Sequence, residues 1–307
     1  MALNAVFAGG RRGCGLTRRV RPRRRRAVTS RLRNAPRIFI LHENDAWTAP
    51  LCAALEARGL PFETWFLDEG VLELSSAPPD GVFYNRMSAS SHTRGHRFGP
   101  EYTAAVLAWL EQYGRRTING SRAVQIEVSK VAQYAALAPH GVRTPRTRAA
   151  VGRDAIVDAA RSFDGPFITK HNRAGKGLGV QLFRTVDALA AYVEGPDFEA
   201  PIDGITLIQA YIQAPEPFIT RVEMIGRELC YAVRVDTSQG FELCPADACQ
   251  VESACPATPG RPKFEIIDGF EHENIERYRR FMQAEGVDVA GFEMIVDADG
   301  RDYTYDV

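Results

Sequence analysis

The stretch Phe167-Ile168-Thr169-Lys170-His171-Asn172-Arg173-Ala174-Gly175-Lys176-Gly177-Leu178-Gly179-Val180 sets the terms of the fold. An apolar strand ends at Lys170, glycines alternate at 175, 177 and 179, and a second apolar run begins at Val180. Glycine lets a backbone approach a ligand closely, and successive free amides make a cradle for anions. Lys170 stands where a compact ammonium could reach the same anion. Neither the Walker spacing nor the Rossmann fingerprint fits, because both need a helix directly after the glycines. Residues 171–179 therefore read as a flap between two strands, with a phosphate site and a plain Gly-rich turn as the alternatives.

Outward from the flap, strand and helix patterns alternate from Arg37 on, which points to an α/β chain. Strands are expected at Ile38–Leu41, Phe62–Leu67, Val82–Tyr84 and Thr117–Asn119, with helices at 45–58, capped by Asp45, and at 100–113. Ser121 is the expected cap of one long helix reaching Ala138. Lys130 lies in that helix and reads equally as a solvated lysine. A strand near 144–149, a helix at 154–163 and a helix at 186–193 surround the flap hairpin. Strands 205–212, 218–225 and 228–235, a long loop and a helix at 271–285 follow. Gln209-Ala210-Tyr211-Ile212 runs into the Pro-limited turn Gln213–Pro217, so its backbone could serve an adenine edge or simply a core strand.

The last stretch is the sharpest physical signal. Asp299-Gly300 is a two-residue hairpin turn of a preferred type. That turn sets Glu293 opposite Asp306, with Cβ atoms about 5 Å apart. Phe292, Met294 and Val296 then share a core face with Tyr303, Tyr305 and Val307. Two carboxylates directly opposite repel, and a divalent cation such as Mg²⁺ would remove the conflict. A solvated edge with a neighbouring lysine or arginine is the competing account.

Composition bounds the rest. The 307 residues exceed one ordinary core and imply two or three lobes. The net charge of zero hides twelve arginines and no acid in residues 1–37. Removing those twelve from 38 basic residues leaves 26 against 38 acidic ones. An acidic body argues against a nucleic-acid surface there. The Arg-rich leader, residues 1–36, cannot bury apolar surface and is expected to be disordered, as a nucleic-acid arm or a dispensable tail. No apolar run is long enough to span a bilayer, no secretory signal is visible, and the six scattered cysteines suit reduced thiols, so a cytoplasmic protein is expected. Cys244, Cys249 and Cys255 match no standard zinc spacing.

Six segments in order resemble the ATP-grasp superfamily, most closely its RimK-like, glutamate-ligase-type branch of carboxylate–amine ligases. They are Ser129–Pro145, Phe167–Gly179, Gln209–Ile212, Phe218–Gly226, Gly291–Glu293 and Tyr305–Val307, and the resemblance runs from about Asn119 to the end. It implies an ATP-grasp fold of class α/β (α+β): an N-terminal α/β lobe (37–120), a central lobe with the flap (121–204) and a C-terminal lobe (205–307), the latter two clamping ATP. Lys130 and Lys170 would be the nucleotide lysines, and the flap with Gly175, Lys176, Gly177 and Gly179 would cover the phosphates. Gln209, Ala210, Tyr211 and Ile212 would hold adenine and Glu216 the ribose. Arg221 and Lys170 would be catalytic, and Glu293 and Asp306 would bind Mg²⁺ or Mn²⁺.

The implied reaction is phosphorylation of a small-molecule or peptide carboxylate by ATP, then attack of an amine on the acylphosphate. In the first lobe, Asn85–His96 offers Arg86 to a substrate carboxylate and His92 as a further contact; His92 and His96 have helical metal spacing, but Ser and Gly there argue against a helix. Two departures are visible. The family usually adds a metal-binding Asn two residues after the second acid, one position beyond Val307, and residues 241–249 replace a basic, Asn-bearing stretch. The chain is accordingly expected to be C-terminally truncated and to turn over poorly. The competing functions are a nucleotide-binding module without turnover and an RNA-associated protein using the leader. Such ligases are commonly homo-oligomers, and the sequence leaves this state open.

Overall fold

Four parallel strands, β1 (Arg37–His42), β2 (Phe62–Phe66), β3 (Gly81–Asn85) and β4 (Arg116–Ile118), form the first sheet in the order β2-β1-β3-β4. The computed structural model to which they belong describes residues 37–175, 177, 179–238 and 262–307. Helices α1 (Asp45–Ala57) and α2 (Gly99–Gln112) accompany the sheet. Phe39, Leu41 and Phe83 pack against Val106, Leu107 and Leu110 of α2, which explains the apolar runs in β1 and β3. The cap of α1 is Asn44, whose Oδ1 accepts from Trp47 N–H, and not Asp45 as the sequence suggests. Gly59 and Gly114 end their helices in left-handed conformations.

The expected long helix from Ser121 is two helices, α3 (Ser121–Glu127) and α4 (Lys130–Leu137). Ser129 is extended, and its hydroxyl accepts from Ala132 N–H, so a second N-cap breaks the chain there. Gly120, not Ser121, occupies the cap position of α3. The break puts Lys130 in the first turn of α4.

Strands β5 (Thr147–Ala150), β6 (Phe167–His171), β7 (Gln181–Phe183) and β8 (Thr206–Ala210) make an antiparallel sheet in the order β5-β8-β6-β7. Helices α5 (Arg153–Ala160) and α6 (Val186–Glu194) cover one face through Ile156, Ala160, Leu189 and Val193. Phe167 and Ile208 belong to that core, so the period-2 alternation turns Ile168, Lys170, Leu207 and Gln209 to the other face.

The third sheet holds β9 (Phe218–Ile225), β10 (Glu228–Asp236), β11 (Phe264–Ile267), β12 (Val289–Val296) and β13 (Asp302–Asp306), ordered β11-β10-β9-β12-β13. Strand β11 falls in the expected long loop. Helix α7 (Asn274–Glu285) packs Tyr278, Phe281 and Met282 on Val222, Met224, Phe292 and Met294. Ala123, Ile126, Ala136 and Leu137 of α3 and α4 join this same core, so both helices lean on the third sheet.

The final hairpin corrects the expected register. Asp297 N–H donates to Arg301 O and Gly300 N–H to Asp297 O, with Gly300 left-handed at φ 78°. This is a three-residue loop with glycine in the left-handed position, not a two-residue turn. The Asp297 carboxylate selects it by accepting from the amides of Asp299 and Arg301. Met294 therefore pairs with Thr304 and Ile295 with Tyr303, which puts Thr304, not Tyr303, on the core face. A shift between Met294 and Glu293 then restores the Glu293–Asp306 pair, with Tyr305 as the extra residue.

Candidate active site

One face of the third sheet carries three charged residues in a row. Arg221 of β9 lies across from Glu293 of β12, and Glu293 lies across from Asp306 of β13. Alternation explains the placement, because Val222, Met224, Phe292 and Met294 fill the core on the opposite face. Arg221 Nη1 donates to Glu293 Oε1 at 2.9 Å and its Nε donates to Glu223 Oε1 at 2.6 Å. Gly291 makes room for this: a Cβ there would collide with the Arg221 guanidinium.

Lys130 reaches the row from α4. Its Nζ donates to Asp306 Oδ1 at 2.7 Å and to Ala174 O in the flap at 3.1 Å. The lysine is buried, which removes the solvated-surface reading. Lys170 enters from β6, donating to the Tyr134 hydroxyl at 2.8 Å and to Tyr305 O at 3.0 Å. Tyr134 OH in turn lies 2.8 Å from Gln209 Oε1. Two lysines, an arginine and two acids from four strands and a helix thus converge, as the pairs Lys130–Asp306 and Arg221–Glu293 with Lys170 on the carbonyl that precedes Asp306.

The electrostatics follow from burial. Desolvation, then the charge of Lys130, lowers the Lys170 ammonium to a pKa of about 7. Burial, then the facing Asp306, raises the Glu293 carboxyl despite Arg221. Burial also disfavours the Arg221 cation, but Glu223 and Glu293 outweigh it and hold Arg221 firmly charged. Burial, then the charges of Glu293 and Asp306 beside it, keeps the Tyr305 hydroxyl protonated.

The flap is fixed at its base. Asn172 Oδ1 accepts from Val131 N–H and the Ser129 hydroxyl, and its Nδ2 donates to Asp203. Arg173 pairs with Glu101 of α2. Gly175 passes the Ser90 side chain, and Gly177 and Gly179 are left-handed. Lys176 lies outside the described residues, as do the leader, the 241–249 stretch and Cys244, Cys249 and Cys255.

The remaining expected residues are dispersed. Ala210 N–H donates to Arg146 O and Tyr211 N–H to Pro166 O, so among the described residues only Ile212 of that hinge keeps an amide without a backbone partner. Glu216 sits further out, paired with Arg234 at 2.7 Å. Arg86 is exposed over the Tyr84 ring, and its charge falls on His42 and Cys52. His92 lies on the flap side, where burial, with Arg173, His171 and Arg97 nearby, lowers its pKa. His92 and His96 serve different partners, Ala89 O and Asp68, so they form no metal pair.

Sequence reasoning missed Tyr134, Glu127 and Glu223. Tyr134 stands four residues after Lys130, one helical turn along the same face, which was the available signal. Two facing carboxylates are the protein share that Mg²⁺ takes when phosphates supply other ligands. Among the described residues no group of three or more His, Cys, Asp or Glu is placed to hold a metal. No helix there is long and apolar enough to cross a membrane.

Comparison with known proteins supports the same architecture. No family profile matches the sequence. A D-alanine–D-alanine ligase of Chromohalobacter salexigens is 27% identical over 214 residues, 68% of this chain and 61% of that protein. The chain thus spans about three fifths of that relative's length. A RimK domain ATP-grasp protein from Sphaerobacter thermophilus superposes with a TM-score of 0.58 at 19% identity, over 88% of this chain and 89% of that one. The ATP-grasp ligase PsnB, complexed with a variant of its minimal precursor, Mg and ADP, gives 0.57 at 16% identity over 89% of both chains. With its parallel first lobe and two antiparallel sheets meeting at Lys170 and Tyr305, this chain has the ATP-grasp fold.

Proposed function

We propose that the protein is an ATP-dependent carboxylate–amine ligase that joins its substrates through an acylphosphate. The observation that carries this reading is the single set formed by Lys130, Lys170, Arg221, Glu293 and Asp306. Glu293 and Asp306 would hold Mg²⁺, which when bound shares the charge of the β- and γ-phosphates. Their donor chemistry fits, since both are carboxylates and each is now neutralised by a protein cation that phosphate oxygens could take over. Lys130, Lys170 and Arg221 would offset the charge that develops as the γ-phosphoryl passes to the substrate carboxylate. Residues 171–179 would cover the phosphates and exclude water from the acylphosphate. The Gln209–Ile212 hinge would receive adenine, with the Ile212 amide as its available donor, and Glu216 would meet the ribose. Arg86 and His92 would face the substrates from the first lobe. Small-molecule or peptide carboxylates and amines are the substrate classes, in line with the D-alanine and precursor-peptide names of the similar ligases.

The test is calorimetric titration with ATP, with and without Mg²⁺, on the wild type and on a Glu293→Ala, Asp306→Ala double variant. Binding that needs Mg²⁺ and drops more than about tenfold in the double variant is expected. Metal-independent binding, or equal binding in both proteins, removes the reading.

A further inference from the structure

Lys130, Lys170 and Arg221 are assigned to phosphate charge and the two acids to Mg²⁺, so the proton of the attacking amine calls for a further acceptor. Glu127 is placed for that task. It ends α3, three residues before Lys130, and the charges that act on it are Asp306 of β13, Lys130 of α4 and Arg221 of β9. Its Oε1 accepts from Ala89 N–H at 3.0 Å; among the described residues its other oxygen makes no hydrogen bond. Ala89 belongs to the first-lobe segment that also carries Ser88 and Ser90, and Ser90 faces Gly175 of the flap. Gln133 Nε2 donates both to Ile126 O, next to Glu127, and to Val307 O, next to Asp306, so the end of α3 lies by the acid pair on one side and by the 88–90 segment and the flap on the other.

We infer that Glu127 is a catalytic residue that accepts the proton of the incoming ammonium group, an inference that rests on the ligase reading. The step balances. The ammonium passes one proton to the Glu127 carboxylate, and the freed nitrogen lone pair forms the C–N bond at the acylphosphate carbon. The C–O bond to phosphate breaks with its electron pair on the leaving oxygen, which takes the second nitrogen proton. Glu127 then returns its proton to solvent. Burial pushes the Glu127 carboxyl above the ordinary carboxylate range, against the Ala89 amide and the two cations. A base works best when its pKa approaches the working pH, so this shift has the right sign. The alternative role is structural, a brace on the 88–91 segment through Ala89 N–H.

Glu127→Gln separates the two, because an amide oxygen still accepts from Ala89 but cannot take the proton. The wild type and variant are incubated with Mg²⁺, ATP and a mixture of the common L-amino acids with D-alanine. ADP and amide products are measured, in parallel with hydroxamate formed from added hydroxylamine, a nucleophile already uncharged near neutral pH. Amide formation is expected to fall by at least about 10²-fold while hydroxamate formation stays within about twofold, with the loss shrinking as pH rises. Glu127→Asp, which keeps a carboxylate, should recover part of the amide rate. Equal loss of both products, or loss of neither, overturns the assignment. A wild type that forms neither product and releases no ADP fails at the ligase reading itself, which is a different result.

Discussion

Lys170 is a residue whose chemistry is strongly altered by its place. An ammonium that titrates near 7 in the folded protein and near its ordinary value in the unfolded chain is mostly neutral between those limits. In that window the unfolded chain binds more protons, so this residue makes folding stability rise with pH from about 7 until the unfolded lysine also deprotonates. Under the ligase reading, phosphate oxygens beside Nζ would raise its pKa again, so Mg²⁺·ATP binding at about pH 8 should take up a proton. Titrations in buffers of different ionisation enthalpy would show it as a buffer-dependent heat, absent in Lys170→Met; a buffer-independent heat in the wild type means that the ammonium is already charged. Arg221 is the opposite case, charged under all conditions and committed to two acids. Arg221→Met should cost about 3–5 kcal/mol, because Glu293 and Glu223 lose the cation they share. Denaturant midpoints at constant slope would measure it, and a loss under 1 kcal/mol would mean that Glu293 escapes by taking a proton.

The last hairpin shows what an element adds to its residues. The Asp-Gly dipeptide was legible as a turn, and the facing of Glu293 and Asp306 came out of a two-residue register that the hairpin does not have. The route between them was not legible, because Asp297 closes a longer loop and an irregularity at Tyr305 cancels the shift. Side-chain capture of backbone amides and a compensating extra residue leave no periodic trace in sequence, whereas a buried strand does. The register has a direct consequence. Thr304 is fully buried with its hydroxyl 2.7 Å from Tyr278 OH, while the half-buried Tyr303 donates its hydroxyl to Asp297. Thr304→Val should therefore cost about 1–2 kcal/mol by removing a buried hydroxyl-to-hydroxyl bond from Tyr278, and Tyr303→Phe less than about 1 kcal/mol. The reverse order in thermal or urea unfolding would restore the two-residue turn. Similar logic covers the α3–α4 break, where Ser129 reads as a helix interior until its hydroxyl is seen to cap Ala132. The site was legible where it depends on strand alternation, and hidden where a helix corner delivers Glu127 and Tyr134.

At the scale of the molecule, the described residues pack as one unit, and a few polar contacts join its lobes. Asn119 is one joint: left-handed at φ 55°, it bonds Val289 and Asp288 through its side chain while its carbonyl accepts from Asn85. The flap is joined at a second point. Arg173 of the flap base is buried and pairs with Glu101 of α2, and Arg97 of the same region donates to Ile202 O. Although burial opposes it, Arg173 and then Arg97 hold the Glu101 carboxyl below its usual range, so this contact persists at neutral pH and weakens as pH falls through that lowered value. The half-exposed Glu101 makes the pair a minor term for global stability. Its effect should instead be local. Glu101→Gln keeps the shape but gives up the charge, and amide exchange at Asn172–Gly175 should then quicken by about tenfold with the unfolding temperature nearly unchanged. Under the ligase reading, the same variant should release more ADP per amide formed, because a looser flap admits water to the acylphosphate. Unchanged exchange at those amides would show that Asn172 alone, through Val131 and Asp203, anchors the flap.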